Sequence, residues 1–123
     1  MHYQKLIVSL SLLLFALSGM ATQAPQEART EIETLLNKLQ AADCQFNRNG
    51  TWYSGVEAKV HLTKKLAYFE NKNMIKSTED FITHAASISS SSGKAYLVKC
   101  GNTPATESKI WLQEKLKTMR SPK

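Results

Sequence analysis

The chain has 123 residues, of which 42% are hydrophobic and 21% charged, and it carries a formal net charge of +6. This length fits one globular domain and leaves no room for two. The ordinary hydrophobic fraction argues against disorder, and 5 Gly with 3 Pro exclude a collagen-like or low-complexity chain. A single long apolar run excludes a membrane protein with several spans.

The apolar run lies at the N-terminus and is typical of an export signal. Lys5 precedes the apolar residues 6–17, and Gly19 and Ala21 are small residues spaced as in a signal-peptidase site. We therefore predict cleavage after Ala21, with cleavage after Ala24 as the alternative. The run is shorter than the roughly 20 residues that span a bilayer as a helix, so we expect no transmembrane span in the mature chain.

Cleavage of the signal peptide, residues 1–21, would release a single mature domain over 22–123 that contains both cysteines of the chain. An oxidising compartment favours a disulfide between Cys44 and Cys100. Closing so long a loop would stabilise the domain by about 4 kcal/mol. Two unlinked buried thiols are the alternative.

The first predicted elements are a helix and a hairpin. After a short lead-in over residues 22–27, apolar residues recur at helical spacing over 28–39, which predicts an amphipathic helix. Asn49 and Gly50 then lie between two short β-capable segments. We predict a hairpin over 44–53 with a type I′ turn, because both turn positions need positive φ.

Two capping motifs mark the next helices. Ser54 and Glu57 are spaced as a capping box, which predicts a second helix that runs to about Asn71. Ser77 and Asp80 have the same spacing and predict a shorter third helix. Each motif places a hydroxyl and a carboxylate where they satisfy free backbone amides at a helix start.

The rest of the chain predicts a loop, a strand and a last helix. Residues 87–92 are rich in serine and end at Gly93, as in a loop, and residues 95–100 form the best strand of the chain. Thr103 and Pro104 predict the start of the last helix, because Pro suits the first helical position. The order α-β-β-α-α-β-α predicts an α+β domain with about four helices on a small antiparallel three-stranded sheet.

Several ordered blocks of residues run from the hairpin to the last helix. They are Cys44-x-Phe46-x-Arg48-Asn49-Gly50, Glu57-Ala58-x-x-His61-Leu62-x-x-Lys65, Thr78-Glu79-Asp80-Phe81-Ile82, Ala86-Ser87-x-Ser89-Ser90-x-Ser92-Gly93-Lys94-x-Tyr96-x-Val98 and Trp111-Leu112. Together these blocks resemble the bacterial domain of unknown function 5329 family. That family consists of small exported proteins, mostly from Gram-negative bacteria, with no established activity. The resemblance implies a periplasmic location and transfers no catalytic residue.

Polar side chains in three segments are the candidates for ligand binding. They lie at the hairpin tip (Arg48, Asn49), on the second helix (His61, Lys65) and in the serine loop (Ser91, Lys94). Guanidinium, ammonium and hydroxyl groups suit phosphates and carboxylates, and the basic composition favours anionic partners. We therefore expect a non-catalytic envelope module that binds an anionic envelope component or a periplasmic protein. Nucleic acid is not an expected partner, because export removes the chain from it and no groove-reading motif is present.

An enzymatic alternative combines Glu57 and His61 with a serine of the loop 87–92. Glu57 precedes His61 by one helical turn and would support it as a general base, so a serine hydroxyl should lie within hydrogen-bonding distance of His61. A zinc site that adds Asp80 and His84 is a weaker alternative, so we expect neither a metal nor another cofactor. A purely structural or assembly role is favoured if no concave polar pocket exists.

Overall fold

The computed structural model describes residues 23–41 and 43–122, which form four helices and four strands. The elements in chain order are α1 (Gln26–Ala41), β1 (Cys44–Arg48), β2 (Thr51–Ser54), α2 (Gly55–Asn71), α3 (Thr78–Ala85), β3 (Leu97–Cys100), β4 (Thr106–Glu107) and α4 (Ser108–Arg120). The α+β class and the four helices are as predicted. The predicted signal peptide over residues 1–21 lies outside the described residues.

The sheet has four antiparallel strands in the order β2-β1-β3-β4, where the sequence predicts three. The additional strand, β4, contains only two residues, which pair with Leu97 and Val98. So short a segment has no apolar alternation of its own. It is a strand only because β3 offers it a backbone partner.

The prediction that the last helix begins at Thr103 and Pro104 is wrong, because α4 begins at Ser108. The backbone N–H of Ser108 donates to the carbonyl of Tyr96 at 2.8 Å, and its hydroxyl donates to the carbonyl of Ala86 at 2.8 Å. These two contacts hold the start of α4 against β3 and the end of α3. Pro104 therefore lies in the connection that precedes β4.

The predicted lead-in over residues 22–27 is partly wrong, since α1 already begins at Gln26. Ala24 is buried, with 4% of its surface exposed, and its N–H donates to Oε2 of Glu70 at 2.8 Å. Arg29 forms an ion pair with the same carboxylate. A buried acid on α2 thus docks the residues before α1, which local sequence patterns do not reveal.

The hairpin between β1 and β2 is as predicted. Asn49 and Gly50 adopt φ values of 54° and 87°, which are the left-handed conformations that a type I′ turn requires. The turn leaves Arg48 as the last residue of β1, paired with Thr51. Because β1 alternates, Arg48 shares a side of the sheet with Cys44 and Phe46.

The predicted capping box opens α2. The Ser54 hydroxyl accepts from the N–H of Glu57 at 3.1 Å, and the Glu57 carboxylate accepts from the N–H of Ser54 at 2.9 Å. Gly55 follows directly, and a Cβ atom there would lie 2.5 Å from the carbonyl oxygen of Leu39. Only glycine therefore lets the start of α2 approach the end of α1 so closely.

The predicted disulfide is present and joins two neighbouring strands. Cys44 of β1 and Cys100 of β3 are register partners and are covalently linked. Phe46 and Val98 form the next partners on the same side of the sheet, and both are buried. The apolar faces of the helices complete this core. In the part of the chain that the structure describes, no helix is long and apolar enough to cross a bilayer.

Candidate anion-binding site

Three segments that are distant in sequence meet where β1 ends. Arg48 is the last residue of β1, His61 and Lys65 lie one turn apart on α2, and Tyr96 directly precedes β3. Arg48, His61, Lys65 and Tyr96 are connected by hydrogen bonds, and we call these four residues the donor cluster. The sequence-based candidates from the hairpin and from the second helix are therefore adjacent in the fold.

The donor and the acceptor of each hydrogen bond in the donor cluster follow from the chemistry of Arg48 and Lys65. Nη1 of Arg48 lies 3.2 Å from Nδ1 of His61, and Nε2 of His61 lies 3.0 Å from the Tyr96 hydroxyl. A guanidinium can only donate, so neutral His61 accepts at Nδ1 and donates its Nε2–H to Tyr96. Nζ of Lys65 also donates to the Tyr96 oxygen, at 3.0 Å. The Tyr96 oxygen therefore accepts from both His61 and Lys65.

The electrostatics of the donor cluster keep His61 neutral. Burial, which is the main cause, and the positive charges of Arg48 and Lys65 together lower the pKa of His61 to about 4. Burial also lowers the pKa of Lys65, with Arg48 as the second cause. The pKa of Tyr96 is raised by burial, against the opposing effect of Arg48. Neutral His61 and neutral Tyr96 thus stand between two cationic side chains.

No carboxylate compensates these two cations within the described residues. Neither Arg48 nor Lys65 takes part in an ion pair there, whereas Arg29, Lys59 and Arg120 each contact an acidic side chain. Both cations are nevertheless half-buried. Removing charge from water without an opposite charge costs free energy, so this arrangement is suited to an anion supplied from outside.

A cavity of about 280 Å³ opens beside Arg48 and His61. Its other lining residues are Phe46, Tyr53, Glu57, Ala58, Val60 and Lys64. Nη2 of Arg48 donates to the Tyr53 hydroxyl at 3.4 Å, and its guanidinium carbon lies 5.1 Å from the centre of that ring. Glu57 is the acid among the lining residues, but its carboxylate accepts from the N–H of Ser54. The size is at the lower end for small-molecule sites, which fits a compact anion.

The serine loop packs against both other candidate segments. Asn49 donates from Nδ2 to the Ser89 hydroxyl at 3.2 Å and accepts from the Ser92 hydroxyl at 2.5 Å. Nζ of Lys65 donates to the carbonyl of Ile88 at 2.9 Å. The three segments therefore converge. Asn49 forms hydrogen bonds with the serine loop and does not line the cavity beside Arg48.

The two loop candidates have different surroundings. The Ser91 hydroxyl lies 3.1 Å from that of Ser89, and Ser91 is exposed. Lys94 is exposed, and its backbone N–H donates to the Ser92 hydroxyl at 3.1 Å. Neither side chain forms a hydrogen bond or an ion pair with the donor cluster. Of the six candidates, Arg48, His61 and Lys65 thus form the connected site.

Sequence patterns placed Tyr53 beside Arg48 at the hairpin tip but did not assign a binding role to Tyr96. Tyr96 lies in the predicted strand over 95–100, whereas β3 begins at Leu97; its side chain is 1% exposed and packs on Phe46 with ring centres 4.8 Å apart. One signal was available, because a buried tyrosine in a strand needs a partner for its hydroxyl. That partner lies on α2, far away in sequence, so only the fold identifies it.

The geometry does not contain the contact that the enzymatic alternative requires. Both ring nitrogens of His61 are engaged, one by Arg48 and the other by Tyr96. Across residues 23–41 and 43–122, no hydroxyl of the serine loop lies within hydrogen-bonding distance of His61. Glu57 serves the cap of α2. The predicted histidine-serine pair is therefore not formed.

The zinc alternative also lacks its geometry. His84 stacks on Phe69 with ring centres 5.7 Å apart, whereas His61 contacts Tyr96. Among the residues with described positions, no three His, Cys, Asp or Glu side chains are grouped as metal ligands.

Comparison with known proteins places these residues within a recognised but uncharacterised group. The model of a family of unknown function, DUF5329, matches residues 26–120, a range that includes the whole donor cluster. A protein of Salmonella typhimurium strain LT2, described as uncharacterized protein YfeK, is 40% identical over 95 residues, which are 76% of this chain and 76% of that protein. No solved structure matches the chain.

Proposed function

The chain belongs to the DUF5329 family of unknown function, and from this premise we propose that it is a non-catalytic periplasmic module that binds a small anion at the donor cluster. One observation carries the proposal. The half-buried cations Arg48 and Lys65 are bridged by neutral His61 and Tyr96, with no carboxylate against either cation in the described chain.

The groups that remain available for a ligand are hydrogen-bond donors. Arg48 lines the cavity, and Lys65 belongs to the same hydrogen-bonded cluster. Neither side chain has an acceptor atom. Donors with positive charge form their strongest hydrogen bonds with phosphate or carboxylate oxygens. The ligand class is therefore a phosphate or carboxylate group on a compact molecule.

The proposed periplasmic location has two supports. Residues 1–21 have the pattern of a cleaved export signal. Cys44 and Cys100 form a disulfide, and such bonds persist in oxidising compartments. In that compartment the net positive charge of the chain also attracts anionic envelope components.

The direct test is a titration of the oxidised mature chain with inorganic phosphate, followed by calorimetry and by NMR of the His61 ring. We expect one saturable site and a rise in the pKa of His61 on binding, because a bound anion favours the protonated ring. Arg48→Gln and Lys65→Gln should each lower the affinity for phosphate about tenfold, as expected for the loss of a charge-assisted hydrogen bond. Tyr96→Phe keeps the packing on Phe46 and should weaken binding severalfold.

The matched control is Lys109→Gln, which removes one positive charge from the exposed start of α4. Equal losses of phosphate affinity in Lys109→Gln and Lys65→Gln would show that only the net charge attracts phosphate, and this result would reject the site. Failure of phosphate, sulfate and small carboxylates to bind the unaltered chain would reject the function and favour a structural role.

A further inference from the structure

A second and larger cavity lies at the opposite end of β1 from Arg48. Its volume is about 630 Å³, and it is bounded by the end of α1, the start of β1, the end of β3 and one side of α4. Cys44 and Cys100 both line it, so we call it the disulfide groove. It shares no lining residue with the cavity beside Arg48.

The disulfide groove has an apolar lining and a basic rim. The apolar lining residues are Ala41, Cys44, Val98, Cys100, Pro104 and Trp111. Lys38 and Lys115 are exposed at the rim, together with Thr103, and Thr106 is half-buried there. The described residues that line the groove include no Asp or Glu. An apolar interior with a few polar groups is the usual composition of a small-molecule site, and this volume lies within the common range of ~300–1,000 Å³.

The two rim lysines determine the charge of a fitting ligand. Nζ of Lys115 lies 5.2 Å from the centre of the Trp111 ring, so its ammonium is held at the edge of the apolar surface. Neither Lys38 nor Lys115 belongs to an ion pair formed by the described residues. A ligand that buries an apolar chain against Trp111 would therefore favour a negative headgroup at the rim, where Lys38 and Lys115 lie.

We propose that the disulfide groove binds a fatty acid, with the acyl chain along Val98, the disulfide and Trp111 and the carboxylate at Lys38 and Lys115. This site does not depend on the anion site proposed above. The groove suits both parts of such a ligand. Burial of the apolar surface of the acyl chain favours binding, and the ammonium groups form charge-assisted hydrogen bonds with the carboxylate. A neutral lipid or a cationic amphiphile would leave the two ammonium groups unused.

The test uses octanoate, decanoate and dodecanoate as probes of the oxidised mature chain, below the concentrations at which they form micelles. Trp52→Phe leaves Trp111 as the remaining tryptophan, so its fluorescence reports on the groove, with calorimetry as the second measurement. We expect saturable binding that tightens about fourfold for each methylene that becomes buried. Decanol and decyltrimethylammonium should bind severalfold more weakly than decanoate.

Paired variants distinguish the groove from general charge effects. The double variant Lys38→Gln/Lys115→Gln should lower the affinity for decanoate about tenfold, because two ammonium contacts are lost. Lys109→Gln/Lys117→Gln removes the same charge from α4 outside the groove and should leave the affinity within twofold. Arg48→Gln should also leave it unchanged, so this result is separable from the phosphate experiment.

Several outcomes would overturn the proposal. These are the absence of saturable fatty-acid binding, equal affinity for decanol and decanoate, and equal losses of decanoate affinity in the two double variants. Concentration-dependent dimerisation with no effect of decanoate would instead assign the groove to a second copy of the chain.

Discussion

Two arginines of this domain stand in opposite electrostatic settings. Arg120 of α4 contacts two carboxylates, with Nη2 at 2.7 Å from Oε1 of Glu31 and Nη1 at 2.6 Å from Oε2 of Glu79. Arg48 of β1 instead faces neutral His61, with the cationic Lys65 nearby as part of the same hydrogen-bonded cluster. One cluster is balanced in charge, and the other carries an excess of positive charge.

From this difference we infer that Arg120 supports the fold, whereas the donor cluster is the one proposed to bind a ligand. Arg120 joins α4 to α1 and α3, and its hydrogen bonds are the main cause that lowers the pKa of Glu31 to about 2. In the donor cluster, burial and like charges lower the pKa of His61 to about 4, which is an unfavourable setting for further positive charge. Groups whose pKa is shifted by burial and neighbouring charges are frequent at functional sites.

The largest expected effect tests the scaffold that the two clusters share. Replacing both cysteines, Cys44→Ala with Cys100→Ala, should lower the free energy of unfolding by about 4 kcal/mol, because the unfolded chain regains the freedom of a long open loop. Urea denaturation of this variant and of the oxidised parent measures the change. The parent after reduction is the control, and equal stability of its oxidised and reduced forms would contradict the prediction.

The next effect compares the two arginines directly through the same substitution. Arg120→Gln should lower the free energy of unfolding by about 1 kcal/mol, since it leaves Glu31 and Glu79 without their cation at a largely exposed position. Arg48→Gln should stay within about 0.5 kcal/mol of the parent, because it relieves repulsion from Lys65 while the amide can still donate to His61. Urea denaturation without added phosphate gives both values. A larger loss for Arg48→Gln than for Arg120→Gln would reverse the proposed division of roles.

A smaller effect separates the clusters by pH. The pKa of His61 is about 4 in the folded chain and ordinarily 6.5, so the unfolded chain binds more protons between these values. Stability is therefore fully present above pH 6.5 and falls as the pH is lowered towards 4. The lowered pKa of Glu31 acts in a lower window, with stability lost as the pH falls from 4.5 towards 2.

His61→Gln should remove the upper slope and leave the lower one. The expected change is on the order of 1 kcal/mol or less, because solvent screens these half-exposed groups. Denaturation midpoints measured from neutral to acidic pH give both slopes, and His84→Gln is the matched control on α3. An unchanged upper slope in His61→Gln would show that other groups cause it.

The smallest expected effect defines the boundary of the donor cluster. Lys94→Gln should change the affinity for phosphate by less than about twofold, whereas Lys65→Gln removes the same charge and should cost about tenfold. The difference follows from position, since Lys94 is exposed in the loop and Lys65 contacts Tyr96. Equal losses in calorimetry would extend the binding site to the serine loop.

Sequence patterns predicted the parts of the fold that depend on neighbouring residues. Asn49 and Gly50 specify their turn because both adopt positive φ, and Ser54 with Glu57 specifies a helix start through two reciprocal hydrogen bonds. The two-residue strand β4 was missed, because it exists only through pairing with β3. The start of α4 was misplaced for a related reason, since Ser108 is held by backbone carbonyls of distant elements.

For the site, sequence alone determined which residue types are present and that Arg48, His61 and Lys65 lie on a hairpin tip and on one side of a helix. Tertiary structure decided that these residues share one hydrogen-bonded cluster with Tyr96, and that Lys94 stands apart from it. The physical reason is range. Turns and caps follow from bonds between residues a few positions apart, whereas hydrogen bonding, burial and uncompensated charge depend on which distant segments the folded core brings together.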